Sequence, residues 1–148
     1  MAEASVSPAS KTPIWFYIVG VVAVLWNAMG ALDYTMTKLQ NEAYLAGFSE
    51  AQSAYFTGFP AWYTAIWAIA VWSALAASLL LLVRRKLAAP VFLVSLGFFL
   101  ISAAYLYGFT PAMEMMGAGG AVFSVVIFAS LVFFWWFSRF SAARGWLA

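Results

Sequence analysis

The sequence predicts an all-α integral membrane protein: a four-helix bundle with a short extra helix in its first outer loop. Three observations carry this expectation. Four stretches, 12–32, 51–83, 87–113 and 115–138, hold no charged residue. About 20 mostly apolar residues cross a bilayer as a helix, because in lipid every backbone N–H and C=O must find its partner within the segment. Apolar residues make up 66% of the chain and charged residues 8%, against about 45–50% and about 25% in ordinary soluble domains. Finally, six of the seven basic residues (Lys11, Arg84, Arg85, Lys86, Arg139 and Arg144) fall on one side of the spans.

The first span is expected at about 14–36, with Thr12 capping its start and Pro13 at the first helical position, where a missing N–H costs nothing. The second is expected at 60–83, again with a proline, Pro60, at its start. Arg84, Arg85 and Lys86 stop it and turn the chain into the third, 87–107, whose Pro90 is tolerated in the first turn. The fourth is expected at 120–137. Residues 1–12 read as a flexible cytoplasmic segment, 13–138 as the membrane domain and 139–148 as a cytoplasmic tail. The Lys/Arg bias puts both termini and the 84–86 turn in the cytoplasm, and 37–59 and 108–119 outside. Trp15, Tyr17, Trp135 and Trp136 suit the inner interface, and Trp62, Tyr63, Tyr105 and Tyr107 the outer one. A cleaved signal peptide over 1–30 is the competitor. Its apolar stretch would exceed the usual length and its basic flank would be Lys11 alone.

The outer connection 37–59 is too long for a turn. Residues 37–45 can prolong the first helix, with Lys38 and Glu42 paired four apart and Gly47 available to end it. Ser49 and Gln52 have capping-box spacing and predict a short helix through Tyr55 and Phe56. Tyr44, Phe48, Tyr55 and Phe56 make this segment an aromatic flap. An interfacial flap at headgroup depth is the favoured reading; a lid over a cavity, or a docking surface for a membrane partner, is the sharper one.

In the first span Gly20, Ala23, Asn27, Gly30, Ala31 and Tyr34 share one face. Small residues there let a neighbouring helix approach, and a buried Asn can hydrogen-bond across the contact. The functional alternative is a polar pocket, opening outward, that Asn27 and Tyr34 line. Asp33 lies about 120° from that stripe, near the outer boundary, where a carboxylate is tolerated. If it points inward, Tyr63, Tyr105 or Lys38 is its expected partner. Small or hydroxyl residues in the other spans (Ala70, Ser73, Ala74 and Ala77; Ser95 and Ser102; Gly120 and Ser124) are explained by helix packing.

Several chemistries are excluded or weakly supported. With no Cys and no His, the chain alone supplies no thiolate nucleophile, no Cys- or His-ligated zinc and no His-ligated haem. Met113, Met115 and Met116 are soft donors of the kind Cu(I) takes, but a helix start at Thr110–Pro111 followed by interfacial apolar residues explains them more simply. No catalytic set and no phosphate loop is present, and a net charge of +2 does not suggest nucleic acid. No cofactor or metal is expected, and the chain does not read as an enzyme.

At Trp26–Tyr34 (WNAMGALDY), Pro60–Trp62 (PAW) and Ser78–Leu96 (SLLLLVRRKLAAPVFLVSL), the chain resembles a group of small four-span proteobacterial proteins. These are usually called uncharacterised and sometimes "sugar transporter", and the layout is also similar to DoxX-type four-helix proteins. The resemblance implies a Gram-negative inner-membrane setting, and no sugar-carrier motif accompanies it. The expected function is a non-catalytic inner-membrane module, an accessory or a partner- or lipid-binding subunit, working with lipids and with a membrane protein or a second copy of itself. A small-solute transporter or channel acting as an oligomer is the first alternative, and a quinone-linked redox subunit the second.

Overall fold

The computed structural model describes residues 10–148. Six helices follow one another: α1 (Ile14–Lys38), α2 (Glu42–Leu45), α3 (Glu50–Thr57), α4 (Ala61–Leu82), α5 (Ala88–Phe109) and α6 (Ala112–Ala143). α1, α4, α5 and α6 are each long and apolar enough to cross a membrane, so the chain is a multi-pass membrane protein with an all-α four-helix core. Of the segment expected to be flexible, residues 1–9 lie outside the described residues. α2 and α3 form the flap between α1 and α4.

The helix ends differ from expectation in instructive ways. Thr12 does not cap α1: Pro13 itself is the N-cap, with no side-chain cap, and the Thr12 hydroxyl is buried with no hydrogen-bond partner among the described residues. Pro60 likewise precedes α4 rather than opening it. α1 is not prolonged through 45. Gln40 turns left-handed at φ 50°, the Asn41 N–H bonds Met36 O at 3.0 Å and the Gln40 N–H bonds Thr37 O at 3.1 Å. This crossed pair closes the helix by satisfying its last carbonyls. Arg84 (φ 62°) ends α4 and Gly145 (φ 74°) ends α6 with the same crossed bonding. Such a φ is uncommon for Gln or Arg. Arg84 is held there because its backbone C=O accepts from Ala148 N at 2.7 Å and its Nε donates to Trp146 O at 2.7 Å.

The fourth span is longer than expected, and 139–148 is not a free tail. α6 runs from Ala112 to Ala143, with a break at Gly117 (φ 66°), so the Met-rich run is its first turns. Beyond it, Trp146 and Leu147 are buried. Trp146 meets Trp15, Phe16 and Phe140 edge-on at 5.2, 6.1 and 5.6 Å. The return 146–148 lies along the α4–α5 turn, where Ala148 N donates to Arg84 O at 2.7 Å and Lys86 N to Ala148 O at 2.9 Å.

α5 packs along both α4 and α6, and α4 along α1, whereas α1 and α6 share no comparable helix–helix seam. Side chains bridge that gap. Trp15 and Phe16 reach Phe137, each at 5.8 Å. Further along, Trp26 Nε1 donates to Ser130 Oγ at 3.0 Å, and its ring meets Phe123 at 6.0 Å. The packed core, centred on Phe16, Leu81, Phe92, Phe134, Phe137 and Trp146, occupies the end that carries Arg84, Arg85, Arg139 and Arg144. At the other end, under the flap, the bundle is hollow.

Candidate functional site

The hollow is a half-open cavity of about 600 Å³ lined by all four long helices and the flap. Small ligands usually occupy sites of about 300–1,000 Å³ with apolar walls and a few placed polar groups. The walls are mainly apolar: Trp26 and Leu32 from α1, Trp67 from α4, Phe99 from α5, Phe123 and Ile127 from α6. Among the described residues that line the cavity, Asp33 is the one carboxylate and there is no Lys or Arg.

Each polar group is held by the element that carries it. Asn27 is buried between α1 and α4, where its Nδ2 donates to Ala23 O at 3.0 Å and to Ser78 Oγ at 2.8 Å. The Ser78 hydroxyl passes the hydrogen bond on to Ala74 O at 2.8 Å. Its donors therefore join two helices, while the residue also borders the cavity floor. Gly30 lines the wall, and a Cβ there would approach only Val71, at 4.0 Å. Ser95 Oγ donates to Ala70 O at 2.7 Å and Ser102 Oγ to the Tyr63 hydroxyl at 2.9 Å, fixing α5 against α4. Tyr63 accepts there, so its own hydroxyl hydrogen remains free at the cavity wall.

At the flap end the Tyr44 hydroxyl donates to Asp33 Oδ1. The partners expected for Asp33, namely Tyr63, Tyr105 and Lys38, are not the ones it finds. The left-handed turn at Gln40 and the Asn41 cap, which accepts from Tyr44 N at 3.0 Å, fold Tyr44 back over the end of α1. Burial first, and then the hydrogen bond to Asp33 and its charge, push the Tyr44 phenol well above the ordinary tyrosine range. Thr37, buried and one turn beyond Asp33, lines the same corner. The sequence pointed to Asp33 but missed Thr37, whose i+4 spacing from it was the available signal.

The flap is a roof held on three sides. Besides Tyr44 on Asp33, Gln52 Nε2 donates to Met115 O at 2.8 Å. The Tyr55 and Thr110 hydroxyls bond at 2.7 Å. The break at Gly117 costs α6 some of its internal bonds, which leaves the Met115 carbonyl free to take Gln52. Burial raises the Tyr55 phenol, and the Thr110 hydrogen bond partly offsets that. Phe48 and Phe56, 5.3 Å apart, close the roof.

Two residues read as pocket groups do not line the cavity. Tyr34 packs its ring edge-on against Trp67 at 4.9 Å. Tyr105 packs on Trp62 and Tyr63 at 4.6 and 4.9 Å. Both are drawn off by aromatic neighbours that their place on the helix face did not announce. Met116 lines the cavity, whereas Met113 faces outward. Comparison of the chain with family models, curated proteins and solved structures gives no match.

Proposed function

We propose that this protein is a small non-catalytic binding module of the bacterial inner membrane, a subunit that holds an apolar or amphiphilic molecule in the cavity under its flap. The observation that carries this reading is the asymmetry of the bundle: a packed end beside the arginines and a cavity of about 600 Å³ at the opposite end. One feature supports the orientation and another the membrane. The Arg/Lys-bearing end suits the cytoplasm, and the resemblance of WNAMGALDY and the 78–96 segment supports a Gram-negative inner membrane. The flap and cavity then lie on the outer side.

Gentle extraction followed by native mass spectrometry tests this. The wild-type protein should carry one small amphiphile, or take one up from added long-chain alcohols. Gly30→Phe, which fills the cavity from a position with open space around it, should lose that mass while keeping its thermal midpoint. Equal uptake by the filled variant, or no uptake by either protein, would overturn the reading. Solute flux in liposomes that Asn27 or Asp33 substitutions abolish would replace it with a carrier.

A further inference from the structure

The cavity has a mouth, and it faces sideways. Four residues both line it and stand open to the surroundings: Met29 (63% exposed), Leu32 (53%), Phe123 (55%) and Asp33. Three lie on α1 and one on α6, the pair of helices without a packing seam. At about 1.5 Å per residue from Ile14, Trp26 lies ~18 Å and Asp33 ~28 Å along α1. The gap therefore falls in the flap-end half of a hydrocarbon layer about 30 Å thick. Trp26, bonded to Ser130 and resting against Phe123, forms its sill. Gln52–Met115 and Tyr55–Thr110 tie the roof to α6 and the α5–α6 junction. The flap is thus tied down over the end of the cavity, while the exposed rim residues lie on the side between α1 and α6.

The chemistry of the rim selects what can rest there. Asp33 keeps its second carboxylate oxygen and spare lone pairs after accepting from Tyr44,. The Tyr44 oxygen can still accept. The Thr37 hydroxyl makes no side-chain hydrogen bond among the described residues and lines the same corner. A primary ammonium carries three donors and one positive charge, the complement of this cluster of acceptors around one carboxylate.

Building on the amphiphile-binding reading above, we propose that a membrane-dissolved single-chain amphiphile with a primary ammonium head enters sideways between α1 and α6. Its head rests on Asp33, Thr37 and Tyr44, and its chain lies along Trp67, Phe99 and Ile127.

The test uses the full chain in nanodiscs, with dodecylamine as probe and dodecanol and dodecanoate as controls, followed by native mass spectrometry. Dodecylamine should bind at least about tenfold more tightly than dodecanol, as one charge-assisted hydrogen bond allows, and dodecanoate more weakly than both. Asp33→Asn should abolish the preference for dodecylamine over dodecanol, weakening the amine much more than the alcohol, and an unchanged thermal midpoint shows that the variant is folded. Because the chain has no Cys, Met29→Cys with Phe123→Cys can be bridged by a bismaleimide. Bridging should slow uptake of dodecylamine from the bilayer at least about tenfold yet retain amine loaded beforehand, and Met29→Trp should slow it in the same direction without a linker. Nanodiscs with and without phosphatidylethanolamine separate a lipid head from a free amine as the source, since competition by that lipid would make the lipid the occupant and overturn the single-chain assignment. Equal binding of amine and alcohol would overturn the head site. Unchanged uptake in both the bridged and Met29→Trp proteins would overturn the lateral route. Failure of every amphiphile would sink the binding reading itself.

Discussion

Asp33 and Tyr44 are linked by their side chains across the α1–α2 turn, and that pairing latches the flap to the end of α1. The phenol is held protonated by burial first and by the neighbouring carboxylate second. Its folded pKa is raised, so the stability it contributes is complete below the ordinary tyrosine pKa and is lost as pH rises through the raised value. At neutral pH the latch is therefore closed. In an alkaline absorbance titration, Tyr44→Phe should remove from the wild-type profile a late tyrosine transition, separate from that of Tyr55, that lies well above the ordinary tyrosine range. Asp33→Asn should lower that value only part of the way, because burial remains; a full return to the ordinary range would contradict this account. The sequence made Asn27 and its small-residue face legible, since a helical stripe needs only local spacing. The Asp33 partner was not legible. It depends on Gln40 adopting a left-handed φ of 50°, which no propensity rule assigns to glutamine.

At the level of single elements, α3 and α6 show where local signals suffice and where they fail. The Ser49–Gln52 capping box forms as its spacing predicts, with Ser49 N to Gln52 Oε1 at 3.0 Å and Gln52 N to Ser49 Oγ at 3.2 Å, because both partners lie in one turn. In α6, Gly117 and Gly119 fall in the expected outer loop 108–119, and yet helix flanks them, broken only at Gly117, and runs on to Ala143. At the break Gln52 of the flap donates to the Met115 carbonyl, a tertiary contact that local spacing does not announce. Gly119 and Gly120 are not equivalent. A Cβ at Gly120 would fall on the Met116 Cβ, whereas one at Gly119 meets nothing within 4 Å. Gly120→Ala should therefore cost about 1–3 kcal/mol, the usual range for overpacking. Gly119→Ala should be neutral or slightly stabilising, as expected for a helical position. Reversible unfolding in mixed micelles reads both, and equal effects would show that the Met116 contact yields without cost.

For the whole molecule, the division into a packed and a hollow end has a dynamic consequence. The basic end is cross-tied by chain-distant contacts: Trp146 against Trp15 and Phe16, Ala148 paired with Arg84 and Lys86, and Trp146 Nε1 on Ser10 Oγ at 3.1 Å. The flap end depends on three side-chain latches around a void. Regions with few buried apolar contacts open at lower free energy than the core, so amide exchange in α2, α3 and 112–120 should be faster than at 77–92 in the empty protein. A ligand that binds only the closed cavity stabilises by RT ln(1 + [L]/Kd), about 2.7 kcal/mol at one hundred times Kd. Saturation with a bound amphiphile should therefore slow exchange at the flap end by up to about a hundredfold, with little change around Phe92 and Phe137 until global opening governs their exchange. Stripping the ligand should reverse it. Trp146→Ala, which removes the plug at the opposite end, should lower the global midpoint but leave the ratio of flap-end exchange with and without ligand intact, because the plug and the cavity share no wall. Protection spread evenly over the chain on loading would mean that the two ends do not open separately, and that the cavity is coupled to the packed core as one cooperative unit.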